Sequence, residues 1–461
     1  MRERALGICL STAVVLLGGL APVGADEIGM FANSPSRNMI SEAENLPSSW
    51  DPSSGENVKW KQELGSQSYG GPVLAGGVIY VGTNNERPRD PSISGDKGVL
   101  MAFRASDGEF LWQKVHDKLP AGRVHDWPLQ GICSGPYVNA EAGRLYYVSN
   151  RAEVVCATTD GETVWMRDMI EEMDVFPHNL AAGNPLVVGD IVFTVTGNGV
   201  DEGHINIPEP RAPSFLALDK NTGETIWSSY LPGNQILHGQ WSNPAYGVID
   251  GVPQVIFPGG DGWIYSLVPE TGEVIWKFDA NPKDSVWELG GAGTRNNIIS
   301  TPVVYEDRVY IGVGQDPEHG EAPGHFWVID ATGRGDVTET HVVWHRGGEE
   351  FGRTISTAAI ADDIVYIADL SGFLYALDAD TGEHYWTYDA FAAVWGSAFV
   401  ADGKVYLGDE DGDVAILVHG KEMELLEEIN MGASVYTTPI AEDGTLYIAS
   451  RNMLWALSEG D

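Results

Sequence analysis

The stretch that decides the fold is Phe215–Trp227, with the sequence FLALDKNTGETIW. A short apolar run leads into the turn Asp-Lys-Asn-Thr-Gly, and a second β-prone run follows and ends at Trp227. Asp, Asn and Gly tolerate the backbone angles of tight turns, whereas the flanking residues favour strands. The stretch therefore predicts one β-hairpin.

The hairpin sequence recurs along the chain. The copies are Ile264–Trp276, Phe373–Trp386, the looser Met101–Trp112 and Val154–Trp165, and Phe326–Trp344 with a longer turn. Two apolar strands precede most copies, so each unit consists of four short strands, which we name A to D. The second strands define eight units, at a spacing close to that of propeller blades. Unit seven, Val405–Ile429, lacks both the turn and the tryptophan.

The last unit, Val435–Leu457, ends after strand C, and Val58–Leu64 (VKWKQEL) can supply its fourth strand. A first strand that completes the last blade closes the ring and removes the open sheet edge. The sequence therefore predicts an all-β fold, an eight-bladed β-propeller of four-stranded blades over residues 58–461. Residues 26–57 are rich in Ser, Pro, Asn and Glu without a period. We expect this irregular segment to wrap onto the ring with partial order at most.

A fuller pattern, A-x-D-x-x-T-G-x-x-x-W, is complete twice in the chain. It occupies Ala217, Asp219, Thr222, Gly223 and Trp227, and again Ala376, Asp378, Thr381, Gly382 and Trp386. This pattern resembles the tryptophan-docking repeat of PQQ-like β-propellers, a superfamily that includes quinoprotein alcohol dehydrogenases and the outer-membrane assembly factor BamB. The resemblance covers nearly all of residues 58–457 and is nearest to secreted single-propeller proteins. It implies the fold, whereas activity depends on the site.

Three functions are consistent with this resemblance. The leading hypothesis is a non-catalytic extracytoplasmic binding or scaffold module that uses its loop-rich channel face, because the sequence contains no recognisable catalytic motif. The second is a PQQ- and Ca²⁺-dependent dehydrogenase that oxidises an alcohol or sugar and passes electrons to a redox partner such as a cytochrome. The adjacent cysteine pair of such enzymes is missing here. The third is a BamB-like outer-membrane assembly scaffold.

The N-terminus reads as a Sec-type signal peptide over residues 1–25, with Arg2 and Arg4 before an apolar run and a small-residue cleavage site near Ala25. This predicts a periplasmic or secreted protein without a transmembrane segment in the mature chain. Export leaves open a disulfide between Cys133 and Cys156, with two buried free thiols as the alternative. The net charge of −39, from 27 basic and 66 acidic residues, argues against nucleic acid as a partner.

The longest irregular segments are predicted to lie on one face of the ring. In a propeller, the B–C loops and the D–A connections open on the same side, and the long B–C inserts here are Asn84–Lys97, Gly197–Pro213 and Gly314–Gly324. We expect this channel face to bind an unknown protein or small molecule. The candidate ligand-binding residues are Arg123, His125, Asp126, Trp127, His178, Asn179, Asn198, Asp201, His204, His238, Trp241, Arg295, Asp316, His319, Arg353 and Trp395.

Two kinds of chemistry are suggested by these residue types. The histidines, with the carboxylates Asp201, Glu202, Asp316 and Glu318, can supply metal ligands or an acid–base pair. The arginines and tryptophans can hold a planar anionic ligand, such as PQQ, by forked hydrogen bonds and stacking. Turn capping and wedging between blades are the structural alternatives for the same residues.

Overall fold

The computed structural model describes residues 27–120, 126–179, 183–320 and 323–460. Eight antiparallel sheets, each ordered A-B-C-D from the channel outward, form the ring. In blades one to four, strands A to D are Val73–Ala75, Val78–Asn84, Lys97–Arg104 and Phe110–Asp117; Tyr137–Asn139, Arg144–Val148, Glu153–Thr158 and Thr163–Asp168; Leu186–Val188, Ile191–Val195, Phe215–Asp219 and Thr225–Ser229; and Ala245–Ile249, Val252–Pro258, Trp263–Leu267 and Val274–Asp279.

Blades five to eight repeat this order. Their strands are Val303–Tyr305, Arg308–Val313, His325–Asp330 and Val342–Gly347; Ala359–Ala361, Ile364–Ala368, Phe373–Asp378 and His384–Asp389; Phe399–Ala401, Lys404–Gly408, Asp413–Val418 and Leu425–Asn430; and Ile440–Glu442, Thr445–Ala449, Met453–Leu457 and Val58–Glu63. The fourth strand of blade eight is the predicted N-terminal strand. The predicted eight-bladed architecture and its closure are therefore confirmed.

Helical structure is confined to short connections. The described helices are the α-helix Met169–Met173 and the 3₁₀ turns Phe31–Asn33, Gly233–Gln235, Leu289–Gly291 and Gly348–Glu350. Asp168 caps the α-helix by accepting hydrogen bonds from the first two free backbone N–H groups. Within the described ranges, none of the helices has the length and apolar character needed to cross a membrane.

Tryptophans of the outer strands join neighbouring blades. The indole Nε1 of six outer-strand tryptophans donates a hydrogen bond of 2.8 to 2.9 Å to a backbone oxygen in the C–D turn of the next blade. The pairs are Trp60–Ala105, Trp112–Thr159, Trp165–Lys220, Trp227–Pro269, Trp344–Ala379 and Trp386–Gly420. In each of the first five of these turns, the motif glycine lies against the same indole. The Thr-Gly and Trp positions of the repeat thus meet between blades, not within one.

Two physical constraints favour glycine at this contact. Gly223 has a φ of 73°, a left-handed backbone conformation that costs other residues energy. A Cβ at this position would also lie 2.7 Å from the ring of Trp165. Each docking contact therefore excludes a side chain from the turn and buries one face of the indole.

The degenerate hairpin of blade five departs from this rule. Trp276 of blade four is fully buried, and its Nε1 donates to Gln254 Oε1 of the same blade at 2.8 Å. The longer turn of blade five instead contributes Gly335–Asp336, which pairs in parallel with strand D of blade four. The extra turn residues therefore replace the docking contact by direct strand pairing.

The segment before the ring is more ordered than expected from its composition. Ile28 pairs with Asn139 at the end of an inner strand, and Ile40 bridges to Val400 of blade seven. Between them Arg37 is fully buried, with its guanidinium donating to the backbone oxygens of Phe31, Asn184, Pro185 and Pro244. The expectation of partial order at most was wrong, because this segment satisfies its polar groups against the inner strands and packs Leu46 and Trp50 into a core cluster.

Cys133 and Cys156 are free thiols in the structure, so the disulfide left open by the sequence is absent between them. Cys156 lies buried in strand C of blade two, while Cys133 precedes strand A, and strand B separates them. Burial raises the pKa of both thiols, as expected of inert structural cysteines. The predicted signal peptide, residues 1–25, lies outside the described residues.

We predict that the docking glycines contribute more than conformational freedom. Gly223→Ala and Gly251→Ala both place Ala at a left-handed φ, 73° and 74°, but the Cβ of residue 251 would have no neighbour within 4 Å. The shared backbone cost is about 1 kcal/mol, and overpacking against Trp165 should add about 1 to 3 kcal/mol for Gly223→Ala alone. Urea unfolding followed by tryptophan fluorescence measures the free energy of unfolding of both variants. Equal losses of stability in the two variants would contradict the docking role.

Candidate functional site

Four predicted histidines converge at the channel mouth on the loop-rich face. His178 lies between blades two and three, His204 in the B–C loop of blade three, His238 between blades three and four, and His319 in the B–C loop of blade five. The ring centroids of the first two lie 4.4 and 4.6 Å from that of His238, and the ring of His319 lies 4.7 Å from it. We call these four residues, with Asp316 and Glu318, the histidine cluster.

Hydrogen bonds fix the two innermost imidazoles. His238 Nδ1 lies 2.9 Å from Asp316 Oδ2, and His178 Nδ1 lies 2.8 Å from the backbone oxygen of Val200. Their Nε2 atoms face each other at 2.8 Å. Trp241 covers this pair, since its indole Nε1 donates to the backbone oxygen of His178 at 2.8 Å and its ring lies 4.9 Å from that of His238.

Tight backbone contacts bring the loops this close. A Cβ at Gly290 would lie 2.5 Å from the Cβ of His204, and one at Gly199 would lie 2.5 Å from the backbone oxygen of His238. His204 itself has a φ of 54°. Arg353 donates to the backbone oxygens of Asp316 and Gly320 and so holds the loop of blade five in place.

Burial and charge set the protonation of the cluster. Burial, aided by neighbouring His238, lowers the pKa of His178 to about 3, so this imidazole is neutral at pH 7. Burial by itself would raise the pKa of Asp316, but the hydrogen bond from His238 and the nearby imidazole of His319 hold it well below its usual range. The carboxylate of Asp316, 3.7 Å from His319 Nδ1, raises the pKa of His319. The cluster therefore combines an ionised carboxylate with neutral imidazole.

Two overlapping groups of side chains could hold a metal ion. The ligand atoms of His178, His204, His238 and Glu318 all lie within 4.8 Å of one another, as do those of His238, Asp316 and His319. Glu318 Oε2 lies 3.7 Å from His238 Nε2, and Asn179 Nδ2 donates to Glu318 Oε1 at 3.3 Å. Glu318, at 41% side-chain exposure, faces the mouth.

These donors do not fit the calcium ion that the quinoprotein resemblance implies. Ca²⁺ takes six to eight oxygen ligands, whereas the cluster offers mainly imidazole nitrogen. The predicted oxygen candidates are engaged elsewhere: the amide of Asn198 binds the backbone of Phe176 and Glu209, and Asp201 caps its own loop through Ile205 and Asn206. Glu202, also predicted, is exposed and outside the two metal-binding groups.

The remaining candidates among the described residues do not join the cluster. Arg295 is paired with Asp279 through two hydrogen bonds of 2.6 and 3.1 Å, and Trp395 packs beside Tyr436. Asp126 is buried against Lys118 and Asn150, and Trp127 accepts a hydrogen bond from the same lysine. Arg123 and His125 lie outside the described residues. The expected forked arginine for a planar anion is therefore not found at Arg295, whose guanidinium is already neutralised.

Comparisons with known proteins identify the fold family. A family model described as outer membrane protein assembly factor BamB matches residues 32–125, 96–317 and 328–421, well over half of the chain. The chain belongs to the PQQ-like β-propeller family. This assignment agrees with the docked tryptophans and confirms the resemblance drawn from the repeat.

Individual relatives are distant. BamB of Salmonella typhimurium is 22% identical over 83% of this chain and 82% of its own length, and BamB of Shewanella oneidensis is 32% identical over 25% of this chain and 33% of its length. The dehydrogenase subunit of a quinone alcohol dehydrogenase from Gluconacetobacter polyoxogenes is 23% identical over 72% of this chain, which spans 47% of that protein.

Solved structures repeat this picture. The match to BamB from Moraxella catarrhalis spans 87% of this chain and 96% of the BamB chain, with a TM-score of 0.56 and 16% identity. The match to a europium-containing methanol dehydrogenase spans 93% of this chain and 97% of the dehydrogenase chain, with a TM-score of 0.60 and 14% identity. At these identities the likeness concerns the fold alone.

We predict that a buried carboxylate near the mouth makes stability pH-dependent. Burial raises the pKa of Asp261 to about 6, although Tyr265 and the backbone of Trp263 donate to it. The folded state then binds more protons than the unfolded state between about pH 4 and 6, so the free energy of unfolding falls by up to about 3 kcal/mol as pH rises through this window. Asp261→Asn should remove this slope.

Urea midpoints at pH 4.5 and 7.5 test this prediction. Asp284→Asn is the control, because it removes an equal charge from an exposed loop position and should retain the slope of the native protein. An Asp261→Asn variant that loses the same stability at both pH values would contradict the raised pKa.

Proposed function

We propose that the protein is an extracytoplasmic PQQ-like propeller that acts as a binding module, with its ligand held at the channel mouth of the loop-rich face. The observation that carries this proposal is the histidine cluster, which brings side chains from blades two to five to one point. Buried polar side chains that converge at a mouth, on loops held by a rigid scaffold, are typical of binding sites.

The other end of the channel supports the same proposal. Residues 28–41 run along the inner strands beside the short A–B turns, with backbone contacts to Asn139, Tyr246, Val304 and Val400. A ligand therefore has its access from the loop-rich side. The signal-like residues 1–25, followed by the segment 26–57 and the ring, support action outside the cytoplasm, as do relatives named for outer-membrane assembly.

A second candidate function is a scaffold in outer-membrane assembly, which the family match favours. A PQQ-dependent dehydrogenase is a third candidate, favoured by the quinone alcohol dehydrogenase relative. The nitrogen-rich donor set weighs against the dehydrogenase, since the calcium of such a site would need oxygen ligands. These candidate functions differ in the ligand that the channel mouth should bind.

We predict that the protein binds no PQQ and reduces no dye. Protein incubated with PQQ and Ca²⁺, or PQQ and Eu³⁺, should elute from gel filtration without quinone absorbance and show no dye reduction with methanol, ethanol or glucose. Retained quinone with turnover would establish the dehydrogenase instead.

We also predict that ligands act through the mouth. In a thermal-shift panel of divalent cations, sugars and organic acids, at least one compound should raise the melting temperature by about 2 °C or more. Glu318→Trp, which fills the mouth, should abolish the shift, whereas Glu383→Trp on the opposite face should not. No shift with any compound, together with co-sedimentation of the protein with outer membranes, would favour the scaffold.

A further inference from the structure

We propose that the channel mouth binds one late first-row divalent cation, such as Zn²⁺ or Cu²⁺, through His178, His204, His238 and Glu318. The inference rests on the proposed function, because it names the ligand of the same mouth. It assigns a metal chemistry different from that of the oxygen-liganded calcium implied by the quinoprotein resemblance.

The orientation of two imidazoles carries the argument. His178 Nδ1 and His238 Nδ1 each face an oxygen that only accepts, the backbone oxygen of Val200 and the carboxylate of Asp316. Both Nδ1 atoms must therefore donate, which turns the Nε2 of each ring toward the other. These two Nε2 atoms face each other at 2.8 Å. Two nitrogen atoms this close share either a proton or a metal ion, so the pair offers a position that a metal ion can take.

The same hydrogen bonds are those that metal-binding histidines use. A histidine that binds a metal through one ring nitrogen usually donates the other N–H to a carboxylate or a backbone oxygen, which fixes the ring and raises its basicity. Asp316 and the Val200 oxygen provide one of each. His238 and His178 are 0% and 2% exposed, so both rings are held in place before any ion arrives.

The flexible part of the site can complete the coordination. Tetrahedral Zn²⁺ would separate two nitrogen ligands by about 3.3 Å, so the two Nε2 atoms need to part by about half an ångström. His204 is half-buried and Glu318 is exposed, which allows both to approach the ion from the open side. A fourth ligand from an exposed side chain also leaves a path for the ion to enter.

Charge balance favours a divalent ion. Asp316 and Glu318 place two carboxylates at the site, and a divalent cation would balance their charge. Three imidazoles and one carboxylate suit Zn²⁺, Cu²⁺ or Ni²⁺, whereas Ca²⁺ and Mg²⁺ prefer sites built of oxygen. His319 Nδ1 is buried without a hydrogen-bond partner among the described residues and lies 3.7 Å from Asp316 Oδ1. It adds a fourth imidazole to the rim of the same site.

Calorimetric titration of the chelator-treated, dialysed full-length protein with Zn²⁺ tests the inference. At 150 mM salt we expect one tight site per chain that excess Ca²⁺ does not occupy. His204→Asn keeps a residue that tolerates the left-handed φ of 54°, and Glu318→Gln preserves shape; each should weaken binding by more than about 10-fold. His384→Asn, which removes an exposed imidazole from the outer strand of blade six, is the control and should bind as the native protein does.

Visible spectra of the Co²⁺-loaded protein provide a second readout, because the d–d bands of a nitrogen-rich low-coordinate site should be lost in both cluster variants. Zn²⁺ binding that is equal in all four proteins would mean scattered sites on an acidic surface and would overturn the inference. Absent Zn²⁺ binding, with an organic compound still shifting the melting temperature through the mouth, would overturn the metal while leaving the binding function. Absence of both would remove the binding function as well.

Discussion

The docking of six outer-strand indoles, each onto the next blade, is the contact on which the structure depends. A single four-stranded blade has two apolar faces and cannot bury both alone. The indole supplies a large apolar surface and one N–H donor, and the next C–D turn supplies a backbone oxygen and a glycine without a side chain. Repeated around the ring, this contact sets the angle between blades. Trp60 extends it across the closure, from the N-terminal strand of blade eight to blade one.

The side-by-side stacking of blades two to five also creates the site. His178 and Asp316 are separated by 138 positions in the sequence, yet both contact His238 because their blades stand side by side around one axis. The C–D turns that accept a tryptophan are short because they pack against it. The B–C loops and D–A connections take no part in this docking contact. Long polar insertions are therefore tolerated on one face, where they surround the mouth. The N-terminal segment lies against the inner strands, with the buried guanidinium of Arg37 held by four backbone oxygens.

The sequence predicts the repeated parts far better than the irregular ones. Hairpins, eight blades and the closing strand follow from turn chemistry and period, which are local properties. The order of residues 27–57 could not be predicted in this way, because it comes from backbone pairing with distant strands and not from their own composition. The longer turn of blade five looks like decay in the sequence, but it pairs with blade four.

Within the site, the residue types could be predicted from the sequence, but the contacts between the side chains could not. His178, His204, His238 and His319 stood out as loop histidines, but Asp201 and Asn198 looked equally able to bind a metal. They differ from Asp316 in that their polar atoms are consumed by their own loop. The close approach at Gly199 and Gly290, which lets the loops meet, depends on contacts between blades that no local pattern records.

Anomalous diffraction at the zinc edge, from a crystal soaked in Zn²⁺, tests most directly the claim that the stacking of neighbouring blades builds a nitrogen-lined site. The account predicts one strong anomalous peak at the channel mouth, bonded to imidazole nitrogens from the blade-two, blade-three and blade-four connections. A mouth without a peak, or with His178 and His238 pointing away from each other, would contradict it.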